Sequence, residues 1–275
     1  MKIKYFTAAF LTGLMLSAGG LVDIANAALV IDRGLPTLNL NNGAGANRSN
    51  VAWDFGNPNT YVGDSLVLSA TNNIHIDHFR TWVVNGSANN NADLTDDAAF
   101  LGDTYSSLVL NYGTSRNPLQ QILSGNFATG SNNTDNSNIS ISRVQYTGTP
   151  NELDYQSSSG SYRQIFQIDW AVNQFVSAGT EISFGVDGLG SNNPFWFNHA
   201  SNAALSGSPQ DASDNRSQVW TGTNYLGFFD SNGNGWDKSS DINVQIFGTT
   251  VPEPAPLTLL GLGLLGLAVT RKRRS

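Results

Sequence analysis

Asp230-Ser231-Asn232-Gly233-Asn234-Gly235-Trp236-Asp237-Lys238-Ser239-Ser240-Asp241 sets oxygen-bearing side chains at alternating positions. The first six residues spell D-x-N-x-N-G, and Asp241 falls at position twelve. In a calcium loop, oxygens at alternate positions wrap a hard cation, and glycine at position six allows the sharp bend. The expected ligands are the side chains of Asp230, Asn232, Asn234 and Asp241, with the Trp236 carbonyl. Two features depart from the helix-flanked form of such a loop. Position twelve is Asp rather than Glu, and the flanks 225–229 and 242–247 alternate as strands do. The rival reading is an Asn-Gly hairpin turn that holds no ion.

Other chemistry is sparse. There are three histidines, His75, His78 and His199. On a strand, His75 shares a face with Asp77, while His78 falls on the opposite face with Ile74 and Ile76. His75 offers a metal ligand, but the plainer reading is an exposed polar face beside one semi-buried imidazole. Neither a G-x-S-x-G elbow nor an H-E-x-x-H helix occurs, so the common hydrolase signatures are missing. Cysteine is absent, which excludes thiol nucleophiles, thiolate metal sites and disulfides. Pro194-Phe195-Trp196-Phe197-Asn198-His199 forms an aromatic cluster. Phe195 and Phe197 suit a core, and Trp196 on the other face is a candidate platform for a sugar ring.

Charge narrows the partners. Between residues 28 and 250, eight arginines and lysines face nineteen aspartates and glutamates, a net of about −11, with Lys238 the sole lysine. Nucleic acid and anionic lipid both require a basic face, which this stretch lacks. Divalent cations and neutral or basic polymers remain compatible.

The elements that must position these residues are strands. Asn, Ser, Thr and Gly fill 39–50, 85–91, 130–138 and 157–161, where they serve turns. Between such stretches lie alternating segments at 29–32, 51–55, 65–70, 74–84, 105–112, 139–146, 162–172, 181–187, 194–198, 218–229 and 242–247. Along 162–170, Tyr162, Gln164, Phe166, Ile168 and Trp170 share one face, and the other face is mostly polar, as in a half-buried strand. Only 93–101 and 200–205 have a helical look. The spacing predicts an all-β fold over 28–249, an antiparallel β-sandwich of jelly-roll type.

The two ends have a different character. Met1-Lys2-Ile3-Lys4 is basic, residues 5–16 are mostly apolar, and Ala25-Asn26-Ala27 has the small-x-small pattern of a cleavage site. Residues 1–27 therefore read as a signal peptide, with Ala28 as the mature N-terminus. At the other end, 250–275 join Pro252-Glu253-Pro254 to an uncharged run at 257–270 and the basic block Arg271-Lys272-Arg273-Arg274. The prolines stop any strand or helix from running on. The fourteen-residue run is short for a permanent anchor, since a helix needs about 17–25 residues to span a bilayer. Its basic end suits the cytoplasmic side. Gly261, Gly263 and Gly266 spell G-x-G-x-x-G, but no strand precedes them and the chain lacks an acidic residue beyond them, so no dinucleotide site is expected.

Pro252-Glu253-Pro254, a short apolar segment and a terminal basic cluster together resemble the PEP-CTERM sorting signal. The resemblance covers 251–275. It implies recognition by an exosortase, a membrane-embedded cysteine transpeptidase or protease of Gram-negative bacteria that make extracellular polysaccharide. It also implies transient insertion of the C-terminal segment in the inner membrane. The expectation is a non-enzymatic protein of the cell surface or extracellular matrix. The alternative is a carbohydrate-binding module or polysaccharide-active protein that uses the strip around Trp196.

Overall fold

The computed structural model describes residues 27–36, 60–85, 107–117, 119, 121–127, 133–144, 154–156, 162–189, 196–199, 209, 211–214, 216–222, 224–228 and 241–251. Among these the regular structure is all strand. In chain order the strands are β1 (Ala28–Asp32), β2 (Thr60–Val67), β3 (Asn73–Asn85), β4 (Ser107–Gly113), β5 (Gln121–Asn126), β6 (Ile139–Arg143), β7 (Asp154–Gln156), β8 (Tyr162–Val176), β9 (Glu181–Leu189), β10 (Trp196–Asn198), β11 (Gln218–Thr221), β12 (Asn224–Phe228) and β13 (Val244–Val251).

They form two antiparallel sheets. One runs β1-β13-β3-β8-β6, with β10 also on β3 and β7 also on β8. The other runs β12-β11-β2-β9-β4-β5. The pairing is nested: β1 lies beside β13, β2 beside β9, β3 beside β8 and β4 beside β5. The chain therefore wraps as one long hairpin folded over on itself, and strands close in space lie far apart in sequence.

Period-2 patterning sets the core. On β3, Ile74, Ile76, Phe79 and Val83 point between the sheets; on β8, Phe166, Ile168 and Trp170 do so; on β9, Ile182, Phe184 and Val186. Phe79 spans the layers, with its ring centroid 5.3 Å from Phe184 and 6.0 Å from Tyr112. Burying aromatic and branched side chains from both sheets supplies the main driving force for their association. The Trp170 indole N–H donates to the Thr81 hydroxyl at 2.9 Å, so its one polar atom is satisfied inside the core.

Several segments depart from the sequence expectation. The alternation places a strand at 65–70, whereas β2 begins at Thr60. A single strand expected over 218–229 is a hairpin, β11 and β12, with Gly222 at φ 58° in the turn. β5 and β7 come from stretches too polar to alternate. His78 is not on the face of Ile74 and Ile76. The register shifts between Ile76 and His78, and a β-bulge turns His78 outward, where it stacks on Phe247 with centroids 4.1 Å apart. Burial lowers the His78 pKa. The expected segments at 51–55, 93–101 and 200–205 lie outside the described residues.

Candidate functional site

The buried charges gather where the two sheets meet. β1 ends at Asp32, and Arg33 follows with its side chain fully enclosed. Asp64 lies on β2, two residues from Val62 and two from Leu66, so period 2 turns it inward with them. Asp241 sits just ahead of β13. Arg33 Nη1 donates to Asp64 Oδ2 and lies 3.7 Å from Asp241 Oδ1. Its Nε donates to the Asp211 carbonyl at 3.2 Å, and Nη2 to the Ala212 carbonyl at 2.9 Å. One guanidinium thus joins the first sheet, the second sheet and the segment 211–214. Only a planar fork of several N–H donors can do this.

The acceptors are further tied. The Ser65 N–H donates to Asp64 Oδ1 at 2.6 Å. The Ser213 hydroxyl donates to Asp241 Oδ2, and the Arg216 N–H to Asp241 Oδ1 at 3.0 Å. Asn243 Nδ2 donates to the carbonyls of Arg33 and Gly34 at 2.9 and 2.6 Å. Val62 of β2, Val219 of the neighbouring β11 and Ile242 beside Asp241 form an apolar cluster.

Burial pushes the Asp64 carboxyl up to about 7 even though Arg33 pulls it down. Burial works the same way on Asp241, but there the charge of Arg33 and the Ser213 hydroxyl outweigh it and hold the group below the usual carboxylate range. Asp214 is raised, by burial first and then by Asp241 beside it. Burial disfavours the Arg33 charge, but its aspartates win and raise its pKa further.

Asp64 has the larger consequence for pH dependence. Its folded pKa lies above the ordinary 3.8, so the folded state binds the proton more tightly. Its contribution is greatest below pH 4 and is withdrawn as pH rises towards 7. Between pH 5 and 7 the wild type should lose stability relative to Asp64→Asn, on the order of 2 kcal/mol. Melting curves of both proteins at several pH values check this. Parallel pH profiles would refute it.

Asp64, Asp214 and Asp241 bring one carboxylate oxygen each within 4.8 Å of the others. Three such oxygens are the donor type that hard cations take. Here, however, the positive charge among them is Arg33. A second cation would stand against the guanidinium, so the cluster acts as an ionic clamp between the sheets. Sequence reading singled out Asp241 but neither Arg33 nor Asp64. The available signal was Asp64 at the inward position of Val62-x-Asp64-x-Leu66.

The other expected site residues are dispersed. Asp230, Asn232, Asn234 and Trp236 lie outside the described residues, as do Ala25, the sorting residues Pro252, Glu253 and Pro254, and the basic block. Ala27 and Ala28 are described, and Ala28 opens β1. Trp196 opens β10 opposite Asn85, with no side-chain position described. His199 is buried; its N–H donates to the Trp82 carbonyl, and its own carbonyl accepts from Asn243. His75 is half exposed, with Asp77 3.5 Å away, and bonds Asn173 at 2.6 Å. No helix among the described residues is long and apolar enough to cross a membrane.

No curated protein and no solved structure matches the chain. Residues 250–274 match the family model of the PEP-CTERM protein-sorting motif, which begins where β13 ends; such a motif implies export and processing by an exosortase.

Proposed function

We propose that this is a non-enzymatic protein of the cell surface or extracellular matrix, held at the inner membrane as a precursor and freed when its C-terminal segment is cut. The observation that carries the reading is the sorting motif at 250–274, joined directly to an interior strand of the sandwich. The buried charged groups support the non-enzymatic part, because Arg33 and the aspartates answer one another across the sheets. The nested order β1·β13, β2·β9, β3·β8 and β4·β5 supports a jelly roll, in which eight strands fill two four-stranded sheets. Intact mass of the exported protein is the test. The expected product lacks residues 1–27 and 257–275, and a strain without exosortase retains the tail. Residues 257–275 still present on the exported protein would overturn the reading.

The segment ending at Asp241 adds calcium to this proposal. Asp241 is fixed by Ser213 and Arg216, so an ion held by Asp230, Asn232 and Asn234 would couple 230–240 to the clamp. With few charged ligands the affinity belongs with extracellular modules, about 10⁻⁴–10⁻³ M. Calcium at ten times Kd then adds about 1.4 kcal/mol, or a few degrees of melting temperature. The expected shift between millimolar calcium and chelator is present in the wild type and lost in Asp230→Ala. Equal wild-type melting temperatures in both conditions would leave the loop an ordinary turn.

A further inference from the structure

Both ends of the described domain leave from one pole. Ala28 opens β1 opposite Gly248, and β13 closes at Val251 opposite Asn73. The connections 68–72 and 177–180 lie at that pole too, since Val67 pairs with Glu181 and Ile74 with Val176. β4 ends there as β5 begins, with Tyr112 opposite Gln121.

This pole is unlike the rest of an acidic domain. Residues 68–72 and 177–180 contain no charged side chain. Beside them Arg116 and Glu181 neutralise each other in an ion pair. Of six large apolar side chains exposed among the described residues, two are here: Val67 at the end of β2, opposite Glu181, and Phe175 near the end of β8, opposite His75. Their exposures are 43% and 48%. Beyond Val251, five residues, 252–256, precede the apolar run. A chain of that length spans at most about 20 Å from Val251 to Leu257. The thirteen residues of β3 set the opposite pole about 40 Å away.

We propose that this pole is a bilayer-facing surface. In the precursor, Val67 and Phe175 rest against the membrane that holds the tail, and the opposite pole points away. The proposal rests on the sorting reading above. The short tether keeps the pole at the interface. Anionic headgroups repel the acidic remainder over a Debye length of about 8–10 Å, but have no net charge to repel in the neutral turns. The exposed apolar side chains leave water where the bilayer meets them. Cutting the tail then frees this face along with the domain.

The absence of cysteine makes the test direct. Ser177→Cys marks the near pole, and Thr221→Cys, opposite Thr60 at the start of β2, marks the far side. Each full-length precursor carries one fluorophore in phosphatidylcholine–phosphatidylglycerol vesicles with a headgroup quencher and no exosortase. The label at 177 should be quenched several times more strongly than that at 221. Val67→Asp with Phe175→Asp should remove most of that difference while the precursor still floats with the vesicles. The comparison of 177 with 221 stands by itself if that double variant misfolds. Equal quenching on a floating precursor would overturn the proposal and leave the sorting reading intact. Quenching at 177 that requires exosortase would also overturn it, assigning the pole to a protein partner. A precursor that does not float would overturn both.

Discussion

Arg33→Met should lower the melting temperature of the exported domain by about 10 °C or more. The side chain is fully enclosed and supplies the cation between Asp64 and Asp241. Methionine fills much of the same space but leaves two buried carboxylates unanswered and frees the carbonyls of Asp211 and Ala212. Breaking one side of a buried pair costs about 3–5 kcal/mol. For a domain of this size each kcal/mol is worth about 2–4 °C. Arg33→Lys should fall between wild type and Arg33→Met, because it keeps the charge and loses the fork. The deficit should also depend on pH. Without its cation, Asp64 holds a proton further above the ordinary carboxylate range, so ionising it costs the variant more. The gap to wild type therefore widens from pH 5 to pH 8. Thermal unfolding at both pH values measures this. A melting temperature within about 2 °C of wild type at pH 8 would mean that the aspartates are not desolvated as the structure has them.

The same clamp explains what the sequence did and did not disclose. Strand content was legible because half-buried antiparallel strands alternate, and β3, β8 and β9 do so over long runs. β2 was placed late because Gly63 and Asp64 break the apolar alternation, though Asp64 is as inward as its neighbours. Its burial depends on Arg33, thirty-one residues earlier, and on Asp241, far downstream. Local pattern cannot supply a partner brought in by a nested topology. His78 shows a second limit. One bulge reverses the face of every later residue on the strand, and periodicity carries no sign of where the extra residue sits. Asp241 drew attention as the last position of a calcium loop, while its described contacts are those of the clamp. The sorting segment was legible because its signal is local, set by prolines, apolar length and terminal charge.

Gly63→Ala should be the most damaging single-methyl addition in the second sheet, for a reason that lies in the backbone. Gly63 pairs with Gly185 between β2 and β9, both interior strands. A Cβ on Gly63 would overlap the Phe184 carbonyl oxygen and stand 2.6 Å from the Phe184 carbonyl carbon and 2.7 Å from the Gly185 Cα. These are main-chain atoms, so no rotamer change relieves the contact. The strands must separate, and Asp64, the next residue on β2, moves with them and away from Arg33. Overpacking costs about 1–3 kcal/mol when side chains can yield, and a forced strand displacement belongs at or above the top of that range. Gly222→Ala is the contrast. Nothing lies within 4 Å of its Cβ position, and only its φ of 58° opposes the change. Its cost should be about 1 kcal/mol. Urea unfolding of the two variants measures both. Gly63→Ala is expected to lose about 3 kcal/mol or more, and a loss no larger than that of Gly222→Ala would show that β2 and β9 are not held at the close approach described.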